Sequence, residues 1–233
     1  MEQSMSCNIT LMSKNSTSDD TDFDREPRGA VQRVYRAIMQ DLEGHRIVAG
    51  QRLIETDLAL RFGAGRNAVR EAIQRLAARG VVDISRNRSP MIRVLDAAET
   101  MEVLDVAAVM TGLAAASAAR HFTPQLHGQQ FEGAMKQLSD AGVLAEPGVF
   151  SQARRRFYRM MLSIGGNREL QRLFPAIGMH IIYSQFQSPQ LKHMRLADYQ
   201  SIYEAILVND VSAAEEAART HVEAVRRILC CDP

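Results

Sequence analysis

"GAGRNAVREAIQRLAARGVV", residues 63–82, sets Arg66, Asn67 and Arg70 in the opening turn of a helical pattern. Val69, Ala72, Ile73 and Leu76 recur at three- and four-residue spacing and define one apolar face, and Gly80 is the stop. Basic and amide side chains gathered at a helix N-terminus suit contact with an anion, because free N–H groups and the positive dipole end lie there too. What flanks the stretch decides which anion.

Upstream, "AVQRVYRAIMQDLEGH" places Val31, Val34, Tyr35, Ile38, Met39 and Leu42 on one face of an amphipathic helix. "GHRIVAGQRL" breaks that helix with glycines. "IETDLALRFG" predicts a short helix capped by Thr56, with Leu58, Ala59 and Phe62 facing inward and Gly63 as terminator. Downstream, "VVDIS" and "MIRVL" are short β-rich runs around "RNRSP", the pattern of a hairpin with a basic tip. Three helices, a tight turn between the second and third, and a hairpin make a winged helix-turn-helix. In that arrangement the first turn of the third helix meets base edges in the major groove. Arg66 and Arg70 are four apart and share a face. Arginine pairs bidentately with guanine, and Asn67 matches adenine. Thr56 joins the candidate DNA contacts, as do Arg86 and Arg88 on the wing tip, placed for the minor groove or the backbone. Arg75 and Arg79, further along the helix, are phosphate or surface residues. The alternative is that these arginines pair with Glu55, Asp57 and Glu71 on a solvated surface.

Charge supports the division of labour. Residues 30–94 hold twelve arginines, no lysine and six carboxylates, a net +6 within a chain of net +1, whereas residues 1–29 carry −3 and residues 95–233 carry −2. A small basic segment on a slightly acidic larger one is the footprint of a nucleic-acid reader joined to something else. Residues 1–29 are Ser/Thr/Asp-rich without an apolar signal segment, and are expected to be a flexible tail. The expected domains are the winged helix at 30–95, a linker at 96–100 and an all-helical domain at 101–233. No run of 18 or more apolar residues occurs, so no membrane span is expected. Cys7, Cys230 and Cys231 sit near the ends, which is no disulfide framework and fits a reducing cytoplasm. A redox role for the adjacent pair is the alternative to an exposed tail.

From residue 101 the pattern is helical throughout. "MEVLDVAAVMTGLAAASAARHF", "PQLHGQQFEGAMKQLSDAG", "PGVFSQARRRFYRMMLSIGG", "NRELQRLFPAIGMHIIYSQFQ", "PQLKHMRLADYQSIYEAILVND" and "VSAAEEAARTHVEAVRRILCC" are each of helix length, separated by Gly, Pro or Asn-Asp. Six or seven helices form an antiparallel bundle, which places ligand sites between facing helices. Met160, Met161, Met179 and Met194 are expected to line it. The fold class is therefore mostly α: a winged helix-turn-helix followed by an all-α bundle.

"AGQRLIETDLALRFGAGRNAVREAIQRLAARGVVDI" resembles the DNA-binding domain of GntR-family bacterial transcription regulators, above all in "VREAIQRLAARGVV", in Leu58-Ala59 and in Gly50 and Leu53. The resemblance implies that Arg66, Asn67 and Arg70 contact operator DNA. Two departures stand out: Gly65 replaces a small hydroxyl residue, and the wing tip lacks its usual glycine. The second half resembles, more loosely, the FCD ligand-sensing domain of the FadR-type branch, through "FYRMMLSIGGNREL" and "YQSIYEAILVNDVSAAEEAARTHV". In that domain an Asp and three His hold a divalent metal. The matching positions here are Arg154, Tyr158, Tyr199 and His221. A permanently cationic guanidinium repels a metal, and tyrosine is a poorer zinc ligand than imidazole. No cofactor is therefore expected. Arg154 is instead expected to take an anionic effector directly, with Tyr158, Tyr199, His221 and His180 around it. The bland alternative makes Arg154, Arg155 and Arg156 a solvated run, a status accepted for the latter two. A rebuilt metal site at His180, His193 and His221 is a second alternative.

The expected function is a homodimeric regulator, a repressor in the family's usual manner, that binds double-stranded operator DNA and responds to a small anionic metabolite. Residues 100–121 offer one interface helix. An architectural DNA-binding protein without effector is the rival. An all-α enzyme is a poorer one, since no nucleophile–base set or phosphate loop occurs.

Overall fold

The computed structural model describes residues 29–84, 89–186 and 189–231. The tail expected at 1–29 lies, apart from Gly29, outside the described residues, and so does the wing tip with Arg86 and Arg88. Three helices come first: α1 (Ala30–Glu43), α2 (Glu55–Phe62) and α3 (Arg66–Ala78). Val34, Ile38 and Leu42 of α1 close on Leu58 of α2 and on Val69, Ile73 and Leu76 of α3, one apolar core built from the three stripes. Gly63 ends α2 at φ 56, ψ 42, a left-handed conformation that costs glycine nothing. Thr56 does not cap α2. The cap position is Ile54, and the Thr56 hydroxyl instead reaches Asp57 Oδ1 at 3.2 Å, one residue inside the helix.

β1 (Val82–Asp83) and β2 (Met91–Ile92) pair antiparallel, with Val82 opposite Ile92 and Asp83 opposite Met91, which confirms the wing hairpin. Arg52 bridges to Met91 on the other side. Val82 and Ile92 turn inward and seal the small core.

The second unit is a bundle of α4 (Ala97–His121), α5 (Pro124–Ser139), α6 (Ala141–Ala145), α7 (Pro147–Gly165), α8 (Arg168–Leu173), α9 (Met179–Gln185), α10 (Pro189–Leu207) and α11 (Val211–Cys231). α4 starts at once after Asp96, which forms a capping box with Glu99, so the segment expected as a linker at 96–100 is mostly its first turn. α4 is long and apolar enough to cross a membrane by length and composition, yet it is the central strut of the bundle, packed on α7, α10 and α11. Its alanines 114, 115, 118 and 119 are buried and let those neighbours approach. "NRELQRLFPAIGMHIIYSQ" is not one helix. Pro175 sits in a 3-10 turn (Phe174–Ala176), and Gly178 at φ 82 reverses the chain before α9. The eight described helices thus exceed the six or seven expected, and the extra break creates the separate, short α9.

The two units touch. Glu43 at the end of α1 is buried and pairs with Arg155 of α7 at 2.8 Å. Arg155 therefore does more than join a solvated run, whereas Arg156 is exposed and donates to Gln137. Leu95, just ahead of the α4 cap residue Asp96, is buried with Leu104, Ile181, Ile182, Val222 and Val225 in a cluster distinct from both main cores.

Candidate functional site

The basic face is at the start of α3. Gly65 is the cap residue, extended at φ −67, ψ 148 with no side-chain cap, so the first N–H groups of α3 stay open to an anion. Arg66, Asn67 and Arg70 are all exposed there. Arg70 is engaged: its Nε and Nη2 donate to the two oxygens of Glu55, at 3.1 and 2.8 Å. These bonds hold the Glu55 carboxyl below its usual pKa. This pair, together with Arg75–Glu71 at 2.7 Å, realises part of the surface-pairing alternative. It also ties the Arg70 guanidinium to the first residue of α2. Arg79 lies against Tyr35, 5.5 Å from the ring centroid, and donates to its hydroxyl, so it is part of the fold's surface.

The second site lies where α7, α9, α10 and α11 meet. Arg154 projects from the middle of α7 and is only 5% exposed. Its guanidinium carbon stands 3.6 Å from the centroid of the Tyr183 ring of α9, a close cation–π stack. Among the described residues Arg154 makes no ion pair; Glu43, whose carboxyl feels its charge, is committed to Arg155. Arg154 is not a surface residue, so the solvated-run alternative fails for it.

Tyr158 lies one turn further along α7, edge-on to Tyr199 at 5.9 Å between ring centroids. Tyr199 is fully buried and stands 4.7 Å from the His221 ring. His221 Nδ1 lies 2.9 Å from Asp198 Oδ2, a hydrogen bond that orients the imidazole ring. Burial, reinforced by Tyr199, raises the Tyr158 pKa well above the usual phenol value. On α9, His180 Nε2 is buried without a hydrogen-bond partner among the described residues. Its pKa is pushed down to about 4, first by burial and then by Arg154, so the imidazole is neutral near pH 7. The structure thus brings together Arg154, Tyr158, Tyr199, His221 and His180, the five expected effector residues.

Two neighbours escaped the sequence reading. Tyr183 was one aromatic in an apolar run, and only its spacing of three from His180 hinted at a shared face. Asp198 precedes Tyr199 in the same motif but gave no sign of partnering His221. The metal of the related domain does not fit these residues. A guanidinium occupies the carboxylate position, and no group of three or more His, Cys, Asp or Glu among the described residues converges on a point. The side chain of His193 lies outside the described residues, so the rebuilt set at His180, His193 and His221 has no described geometry.

A basic winged helix joined to a helical bundle defines a DNA-binding regulator. Residues 30–92 match the gntR family of bacterial regulatory proteins, and residues 102–224 match the FCD domain. The chain belongs to the GntR family, in its FCD-bearing branch. Two solved structures share the fold: Escherichia coli McbR/YncC (17% identity, TM-score 0.72, 86% of this chain and 97% of that one) and a putative GntR regulator of Rhodococcus sp. RHA1 (18%, 0.73, 87% and 98%). Among named relatives, the probable D-xylose utilization operon repressor of Paenarthrobacter nicotinovorans is 23% identical over 80% of this chain and 83% of its own. The repressor RspR of E. coli K12 is 24% identical over 84% and 89%. These relatives regulate transcription and are not enzymes.

Proposed function

We propose that the chain represses transcription from an operator and that a small anionic metabolite, held at Arg154, changes its operator affinity. The supporting observation is Arg154 itself. A permanent cation that is 5% exposed, stacked on Tyr183 and without an ion pair among the described residues is costly unless an anion joins it. The stack covers the flat face of the guanidinium and leaves its in-plane donors for a bidentate anion. Neutral His180 and the tyrosines around it supply hydrogen bonds without competing negative charge. Arg66, Asn67 and Arg70 read base edges, the open N–H groups of α3 take a phosphate, and Thr56 stands beside them at the start of α2. Such a protein works in the bacterial cytoplasm, as a homodimer whose two α3 helices read a near-palindrome.

The test pairs a panel of carboxylates with the full-length protein and with Arg154→Met. Sugar acids come first, because one relative governs D-xylose utilization. A ligand should raise the melting temperature and alter operator affinity in the wild type and do neither in Arg154→Met. A variant that keeps its response would remove Arg154 from the effector site. The effector-free architectural reading predicts salt-steep binding with little sequence preference, and gives Arg154 no reason to be buried.

A further inference from the structure

We propose that α9 is the element that couples the Arg154 site to the DNA-binding domain, with Tyr183 as its contact to the site and Gln185 as its contact to the interdomain connection. The proposal rests on the assignment of Arg154 as the effector's cation only for its biological meaning; the coupling is a property of the protein alone.

α9 is seven residues long and is held at its start by the left-handed Gly178 turn. Tyr183 lies on the Arg154 guanidinium at 3.6 Å. Two residues on, the Gln185 side chain binds the backbone of Leu95 at both ends: Leu95 N–H donates to Oε1 at 3.0 Å, and Nε2 donates to the Leu95 carbonyl at 2.8 Å. An amide side chain thus completes the backbone pairing of the residue that links β2 to α4. Ile181 and Ile182 of the same helix share one buried apolar cluster with Leu95. Nearby, Arg93 of the connection pairs with Glu99 in the first turn of α4 at 2.6 Å. α9 also packs against α1. A short helix has few bonds of its own, so a displacement of the Tyr183 ring carries Gln185 with it. Any group that enters the plane of the Arg154 guanidinium changes the stack, and α9 delivers that change to the one backbone segment joining wing to bundle. Two discrete arrangements of a packed element biased from both ends are what coupling between sites requires.

The experiment measures amide hydrogen exchange at single-residue resolution on the full chain, with no metabolite present. Gln185→Ala should speed exchange of the Leu95 amide by about tenfold, the change expected from the loss of one hydrogen bond. Tyr183→Leu, which does not touch Leu95, should speed it in the same direction while the Phe186 amide, α9's own final bond to Ile182, keeps its wild-type rate. Tyr183→Phe keeps the stack and should leave Leu95 at the wild-type rate. An unchanged Leu95 amide in Tyr183→Leu overturns the proposal. So does acceleration of Leu95 only together with Phe186, which would mean that α9 merely unravels. Failure of the effector assignment would show separately, as a metabolite response that survives Arg154→Met.

Discussion

Arg66 and Arg70 present the same residue type on the same turn, yet the structure puts them in different states. Arg66 is exposed beside the open end of α3, whereas Arg70 arrives already fastened to Glu55. Replacing either by Ala should weaken operator binding roughly ten- to a hundredfold and relax base preference at one position. Fluorescence anisotropy on an operator and on a scrambled duplex measures both effects, and equal affinity of both variants and wild type for the operator would refute the recognition-helix assignment. The chain's motif named these residues because a helix N-terminus and its arginines are local facts. It could not name Tyr183, whose role exists only because α9 folds back over α7. His180 gives a second prediction at this scale. Its folded pKa of about 4 lies below the ordinary 6.5, so the unfolded chain takes up the proton first as pH falls. The stability this provides is complete above pH 6.5 and is lost between 6.5 and 4, a loss of about 2 kcal/mol after allowance for partial solvent access. Melting temperatures of wild type and His180→Gln should therefore converge or cross as pH drops through that window. A difference independent of pH would show that His180 titrates in the fold as it does in the unfolded chain, and would overturn the lowered pKa.

Among the elements, α4 and α7 depend on small residues where they cross. A Cβ on Gly165 would stand 2.9 Å from Ser117 Cβ and 3.3 Å from backbone atoms of α4, neither of which is a flexible chain end. Gly165→Ala should cost about 1–3 kcal/mol of stability through forced separation of the helices, read as a lower denaturant midpoint with an unchanged slope. A midpoint equal to wild type would mean that the crossing has slack. Helix periodicity located α1, α3, α5, α7 and α11 because their buried stripes are regular. It merged α8 and α9, where Pro175 and Gly178 interrupt a sequence that stays apolar on both sides of the break. Apolar continuity does not report a change of direction, so the helix that carries Tyr183, His180 and Gln185 had no visible boundary.

The whole molecule leaves one apolar stripe of its central helix in solvent: Val106, Val109 and Leu113 on α4 are 51%, 53% and 43% exposed. Their spacing keeps them on one face, and in the homodimer proposed above a second copy of the chain would cover that face and set two α3 helices on one operator. Val109→Glu should convert the dimer to monomer in sedimentation and weaken operator binding without altering the fold, and a dimer that persists would direct attention to another face. Composition, charge segregation and two stretches of periodic sequence were enough to determine a basic winged helix and a helical bundle, because each rests on patterns within about one or two helical turns. Which arginine of the run 154–156 ties the bundle to α1, and which helix covers Arg154, were decided only by tertiary packing. Consecutive residues on a helix point about 100° apart. Their neighbours therefore come from elements distant in the chain, such as Glu43 for Arg155 and Tyr183 for Arg154.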